Sequence, residues 1–344
     1  MIQNAEKYNT IYSMHMVGKA YFVGKGVKID LEKAADWARQ ASNLGYVSSK
    51  NELFDILWQI GTPEAYQEMI ELITELANSG NSSAMGRLAR AYREGKGVDK
   101  DLNLAAEWMR KAANSGVSWA KWEYFGILKS INTPDSLNQM VEYAQKESDK
   151  GNLELRARLA RLYRDGIGVE KNLTVAAELM KSCADSNKPN FAKYEYYDIL
   201  KSLGTVEAYN EMISVGMRYA VEGDPEFQGR IAVAYRDGLG VKKDLNRAAE
   251  WMEKASKNES WAVNDLFDIL VKINTSESKK KAFETIKPLA EKGNGSAMGR
   301  LGRAYRKGIG TEADLNKSIE WYQKAAAKNV RWAEKELNSL KKKL

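Results

Sequence analysis

Arginines recur along this chain at a spacing that could grip a ligand. Arg87, Arg90 and Arg93 return as Arg158, Arg161 and Arg164, then as Arg230 and Arg236 with Val233 between, then as Arg300, Arg303 and Arg306. A helix turns about 100° per residue, so a three-residue step keeps such side chains near one face with a drift of about 60°. A guanidinium fork holds carboxylate or phosphate through two parallel hydrogen bonds. Aromatic residues alternate with these rows: Trp119 and Trp122 with Lys129, Phe191 and Tyr194 with Lys201, then Trp261. Flat rings stack on sugars, bases or guanidinium groups. The combination suits an extended anionic ligand, an acidic peptide segment first and an anionic glycan second. The arginines also have a plainer reading as ion pairs within the fold, with Glu94, Asp165, Asp237 and Glu123 as acceptors, each weak on its own.

Covalent and metal chemistry have little to work with. His15 is the single histidine, which leaves no Ser-His or Cys-His pair unless it serves, and no histidine-rich metal site. It aligns with Gly86, Ala157, Gly229 and Gly299. Cys183, the single cysteine, stands in register with Ala41, Ala112, Ala255 and Ala325, which assigns it to a small buried slot. Five G-x-G sequences (Gly24/Gly26, Gly95/Gly97, Gly166/Gly168, Gly238/Gly240, Gly308/Gly310) invite a phosphate-loop reading. No strand pattern precedes them, no third glycine follows at dinucleotide spacing and no G-K-[ST] completes them, so they read as turns. Trp37, Trp108, Trp251 and Trp321 share a slot with Leu179, and replacement by leucine marks packing. No cofactor, metal or catalytic residue is expected, and no enzymatic activity of the array itself.

The elements that must position these residues repeat. Tyr21, Tyr92, Tyr163, Tyr235 and Tyr305 are equivalent, at steps of 71, 71, 72 and 70 residues, the mark of stacked units that cannot bury their apolar faces alone. Each period holds four helical stretches, hence two hairpins of roughly 35 residues. The first helix ends at a glycine suited to a left-handed cap. The second starts at Asp30, Asp101, Asn172, Asp244 or Asp314 as N-cap and carries a small pair such as Ala105-Ala106. The third is the aromatic one. The fourth opens at Thr62-Pro63, Thr133-Pro134, Thr205 and Thr275, a threonine cap with proline admitted at the first helical position.

Ala84, Leu88, Tyr92, Gly95, Gly97, Val98, Asp101, Ala105, Trp108, Ala112-Ala113, Gly116 and Ala120 together resemble the Sel1-like repeat, a relative of the tetratricopeptide repeat. The resemblance holds around all five tyrosines, while the alternate hairpins from about Ser49, Ala120, Ala192 and Ala262 look like degenerate members. It implies an all-α, right-handed α-α superhelix of stacked hairpins, one solenoid over residues 1–344, with residues 330–344 as a C-terminal capping helix. It also implies a non-enzymatic interaction scaffold of the adaptor kind; similar arrays occur beside bacterial enzymes that build surface polysaccharides or teichoic-acid-type polymers. By tetratricopeptide geometry, Arg90, Arg93, Arg161, Arg164, Arg236, Arg303, Arg306, Trp119, Trp122, Tyr194, Lys129 and Lys201 are the candidate concave-groove residues. In the first copy Lys19 and Phe22 hold the arginine slots.

Composition bounds the partner. Lys and Arg outnumber Asp and Glu by 53 to 46, a net charge of +7 that favours anionic partners mildly. RNA binding by a pentatricopeptide-type array ranks third, because those hairpins lack the G-x-G-V turn and Asp cap and the charge is thinly spread. The amino terminus shows no secretory pattern and no apolar run reaches membrane-spanning length, so a cytoplasmic address is expected. Ile2, Tyr8, Ile11, Tyr12, Met14 and Met16 give the N-terminal end an apolar face, suited to another domain, a partner chain or a symmetry mate.

Overall fold

The computed structural model describes residues 10–342, and among them every regular element is a helix. In chain order they are α1 (Ile11–Val23), α2 (Leu31–Asn43), α3 (Val47–Ile60), α4 (Pro63–Asn78), α5 (Ser82–Glu94), α6 (Leu102–Asn114), α7 (Ser118–Ile131), α8 (Pro134–Asp149) and α9 (Leu153–Asp165). There follow α10 (Leu173–Asp185), α11 (Ala192–Leu203), α12 (Val206–Val221), α13 (Pro225–Asp237), α14 (Leu245–Ser256), α15 (Ser260–Ile273), α16 (Ser276–Glu291), α17 (Gly295–Lys307), α18 (Leu315–Ala327) and α19 (Arg331–Lys341). The chain divides between Asn172 and Leu173 into two compact bodies. In each, successive helices pack on one another as consecutive hairpins; α1 also touches α3 of its own copy, and α15, the third helix of the fourth copy, touches α17, the first helix of the fifth.

The caps fall where the sequence puts them. Asp30, Asp101, Asp244 and Asp314 each accept a hydrogen bond from first-turn amides of the helix they open, and Thr62, Thr133, Thr205 and Thr275 do so for the fourth helices. The third helices α3, α7, α15 and α19 have no side-chain cap; packing holds them. Gly95 ends α5 at φ 69°. Gly97 at φ 73° is also a contact point: a Cβ there would stand 2.7 Å from the Tyr66 carbonyl of α4, and Gly168 and Gly240 meet Leu137 and Tyr209 in the same way. The five G-x-G sequences are therefore turns, pressed against the preceding fourth helix in every copy that has one.

Cores run along each body between the helices. Ala34, Ala105, Ala176 and Ala248 are fully buried, as is Cys183 in its alanine slot, which makes the thiol a packing group. Trp108, Trp251 and Trp321 lie partly buried against the cores, with Lys111, Lys254 and Lys324 over their outer faces at 4.1, 4.0 and 4.4 Å from the ring centroids. Ala333, Leu337 and Leu340 of α19 are buried, α19 packing on α18; Lys343 and Leu344 lie outside the described residues. Of the N-terminal apolar set, Ile2 and Tyr8 also lie outside them, Met14 is buried, and Ile11, Tyr12 and Met16 are exposed, Tyr12 by 62%. No helix among the described residues is long and apolar enough to cross a membrane, and none of their acidic, histidine and cysteine side chains group in a way that could hold a metal ion.

Candidate functional site

The drift of the arginine row along each first helix turns one end toward the preceding third helix and the other toward the following one. On α5, Arg87 reaches back to α3, donating to Asn51 Oδ1 at 2.5 Å and Asp55 Oδ2 at 2.9 Å, and its guanidinium lies 5.0 Å from the Phe54 ring centroid. Arg93 reaches forward and pairs with Glu123 of α7. Arg90, between them, stacks 4.3 Å from the Trp58 centroid, donates to Glu94 at 2.9 Å and is 49% exposed. On α17 the pattern returns. Arg300 donates to Asp268 at 2.6 and 3.0 Å, Arg303 joins the same carboxylate above Phe267, and Arg306 pairs with Glu336 of α19.

α13 and α9 keep the scheme with shorter forward reach. Arg230 pairs with Asp198 of α11, while Arg236 forks onto its neighbour Asp237 at 2.8 and 2.7 Å and feels the charge of Asp265. Arg158 lies over Trp122 and Phe125 of α7, Arg161 is half-buried and engaged, and Arg164 forks onto Asp165 at 2.8 and 3.0 Å. Those guanidiniums hold the Asp165 and Asp237 carboxyls below their ordinary range. All four acids named as possible internal acceptors are thus in use. What the single row did not reveal is that an acid stands in one register slot of every third helix: Glu52, Glu123, Glu195, Asp265 and Glu336. That row is the signal from which the forward pairs could have been found.

The aromatic candidates fall into two groups. Trp119 lays its indole over Gly86, so closely that a Cβ there would overlap the ring, and remains 47% exposed; Trp261 does the same to Gly229 and Trp332 to Gly299. Where serine replaces the tryptophan, at Ser48, the glycine slot holds His15 instead. His15 Nδ1 lies 3.0 Å from both Ser49 Oγ and Glu52 Oε2, a packed position in keeping with its structural reading. Trp122 and Tyr194 are half-buried. Tyr194 donates to Asp224 at 2.8 Å and stacks on Phe227. Lys129 and Lys201 are exposed.

These locks leave equivalent clefts in the two bodies. One, of about 380 Å³, lies over α5 between α3 and α7 and is lined by Asp55, Gly86, Arg87, Arg90, Arg93 and Trp119. The other, of about 290 Å³, lies over α13 between α11 and α15 and is lined by Asp198, Lys201, Gly229, Arg230, Val233 and Trp261. Each joins a tryptophan edge, a guanidinium above an aromatic ring and a carboxylate, which can take an apolar side chain beside an acidic or hydrogen-bonding group. Arg90, Arg93, Trp119 and Lys201 are brought into the clefts. Arg236, Arg303, Arg306, Trp122, Tyr194 and Lys129 are not among their lining residues.

Comparison with known proteins follows the same boundaries. The chain is 23% identical over 270 residues to the chitin synthase regulator SKT5 of Saccharomyces cerevisiae, covering 74% of this chain and 39% of that protein. It is 25% identical over 178 residues to chitin synthase regulatory factor 3 of Schizosaccharomyces pombe, covering 49% and 19%. The chain thus spans well under half the length of these relatives. Among solved structures, a Sel1 repeat protein from Oxalobacter formigenes superposes with TM-score 0.54 at 23% identity over 98% of this chain and 89% of that one. A protective antigen of uropathogenic Escherichia coli displaying an SLR fold gives 0.51 at 23% over 99% and 82%. The Sel1 repeat pattern itself matches residues 11–46, 82–117, 155–188, 225–260 and 295–330, the five glycine-turn hairpins and more than half of the sequence, so the chain belongs to the Sel1 repeat family.

Proposed function

We propose that this chain is a non-enzymatic scaffold that holds extended, acidic segments of a partner protein along the face that first and third helices make within each body. The observation that supports this most is the recurrence of one cleft chemistry, a tryptophan seated on glycine beside a ring-stacked arginine, at equivalent places in both bodies. A catalytic site is not copied in this way; the anchor points of a repeat array are. Guanidiniums held over rings and fixed by one carboxylate keep further N–H donors, and a partner carboxylate reaching them gains charge-assisted hydrogen bonds.

A second reading takes its support from the relatives. Two of them are named as regulators of chitin synthase, so the partner held here would be an enzyme that builds a polysaccharide, or the array would touch the anionic glycan itself. Titration of the protein against an acidic peptide array and against soluble acidic polysaccharides separates the cases. Saturable binding to peptides alone supports the segment-binding scaffold, binding to the polysaccharide alone replaces it with the glycan module, and binding to neither contradicts both.

A further inference from the structure

A different cleft, of about 410 Å³, opens between α6, α7 and α8 and shares no lining residue with those above. Elsewhere in the chain the second and fourth helices are tied across this place by an ion pair. Arg39 donates to Glu68 at 2.6 and 2.9 Å, Lys181 to Glu211 at 2.6 Å, and in the fourth copy the signs are exchanged, Lys281 donating to Glu253 at 2.7 Å. The same register sets Arg110 opposite Gln139 in the second copy. Gln139 donates its amide to Asp135 at 2.7 Å, and Arg110 has no hydrogen bond or ion pair with any described residue.

Tyrosine makes the comparison tighter. In the third copy Glu211 also accepts from the Tyr196 hydroxyl at 2.6 Å. The equivalent Tyr124 is only 4% exposed and its hydroxyl makes no hydrogen bond among the described residues. Arg110 lies near enough for its charge to oppose the upward push of burial on the Tyr124 phenol. Two donors of the third copy's arrangement are therefore present in the second, on one cleft, without the carboxylate that unites them. Asp135 and Glu107 line the cleft too, Glu107 paired with Lys111 at 2.9 Å; their charge disfavours phosphate and polyanions, and leaves a single carboxylate as the matching anion.

We propose that this cleft binds a carboxylate supplied by a ligand, with the Arg110 guanidinium and the Tyr124 hydroxyl as its donors, in the position that Glu211 fills one copy later. The site is independent of the groove reading. The test follows the Arg110 side-chain N–H resonances while the whole chain is titrated with propionate, with a short neutral-backbone peptide carrying one glutamate, and with inorganic phosphate. A saturable shift with propionate or the peptide, weakened at least tenfold in Gln139→Glu and in Arg110→Gln, is the expected result. Gln139→Glu rebuilds the pair of the other copies, so its thermal midpoint is expected to equal or exceed the wild type; should it fail to fold, Arg110→Gln carries the test. Equal affinity for the two carboxylates assigns a free small acid as the source, and at least tenfold tighter peptide binding assigns a glutamate side chain of a partner. No saturable shift, undiminished affinity in both variants, or tighter binding of phosphate than of carboxylate would overturn the proposal.

Discussion

Gly26 and Gly97 occupy the same turn position in different surroundings. Both have positive φ, but a Cβ on Gly26 meets nothing within 4 Å, whereas one on Gly97 runs into the α4 backbone. Alanine at Gly26 is therefore expected to lose about 1–2 kcal/mol, the left-handed conformation alone, and alanine at Gly97 about 1–3 kcal/mol more from overpacking. Urea unfolding of the two variants checks this; equal losses would show that turn conformation, not approach to α4, decides the second glycine. The turns themselves were legible in sequence because glycine and aspartate act within a few residues. What the arginines touch was legible for Glu94, Asp165, Asp237 and Glu123, named as acceptors of the row; the backward partners Asn51, Asp55, Asp198 and Asp268 were not. The Trp119–Gly86 lock was not, since its two halves lie 33 positions apart and neither type announces the other.

At the scale of elements, the first copy departs from the others where Phe22 takes the arginine slot. Glu52, in the acidic slot of α3, lacks a forward-reaching guanidinium, and burial pushes its carboxyl up to about 7 with Lys19 pulling against it and Asp55 adding to it. Unfolded, the group titrates near its ordinary 4.5, so the folded chain holds the extra proton between those values and stability falls as pH rises from about 4.5 to about 7. His15 acts in the opposite sense: burial, with Lys19, lowers its imidazole, so its contribution rises with pH up to the ordinary 6.5 and is flat beyond. Glu52→Gln is expected to leave the thermal midpoint at pH 5 nearly unchanged and to raise it at pH 8. Phe22→Arg, which restores the pair of the other copies, is expected to lower stability at pH 5, because Phe22 packs against the core, and to reverse the loss between pH 5 and pH 8. An unaltered pH profile in both variants would contradict the assignment. Helix starts and ends were legible here from caps; which third helix an arginine ties was not, because that depends on rotation along the helix as much as on spacing.

For the molecule as a whole, the period carried the architecture and the function had to be argued from surfaces. A net charge of +7 over 344 residues is a weak long-range field, and most candidate arginines are engaged by acids of the fold. Under the proposed scaffold role, binding is expected to come from local anchors, the indole edges and ring-stacked guanidiniums, with a moderate salt dependence from the few charges that would meet a partner. The candidate residues differ in what they touch: Arg90 and Trp119 meet in one cleft, while Arg306 ties α17 to α19. The most direct measurement is the dissociation constant of the best acidic peptide for the wild type, Arg90→Glu and Trp119→Ala, each checked for an unchanged thermal midpoint. Each substitution is expected to weaken binding about tenfold or more, near 1.4 kcal/mol; a folded Arg90→Glu, Trp119→Ala double variant that binds as the wild type does would contradict the groove as the binding surface.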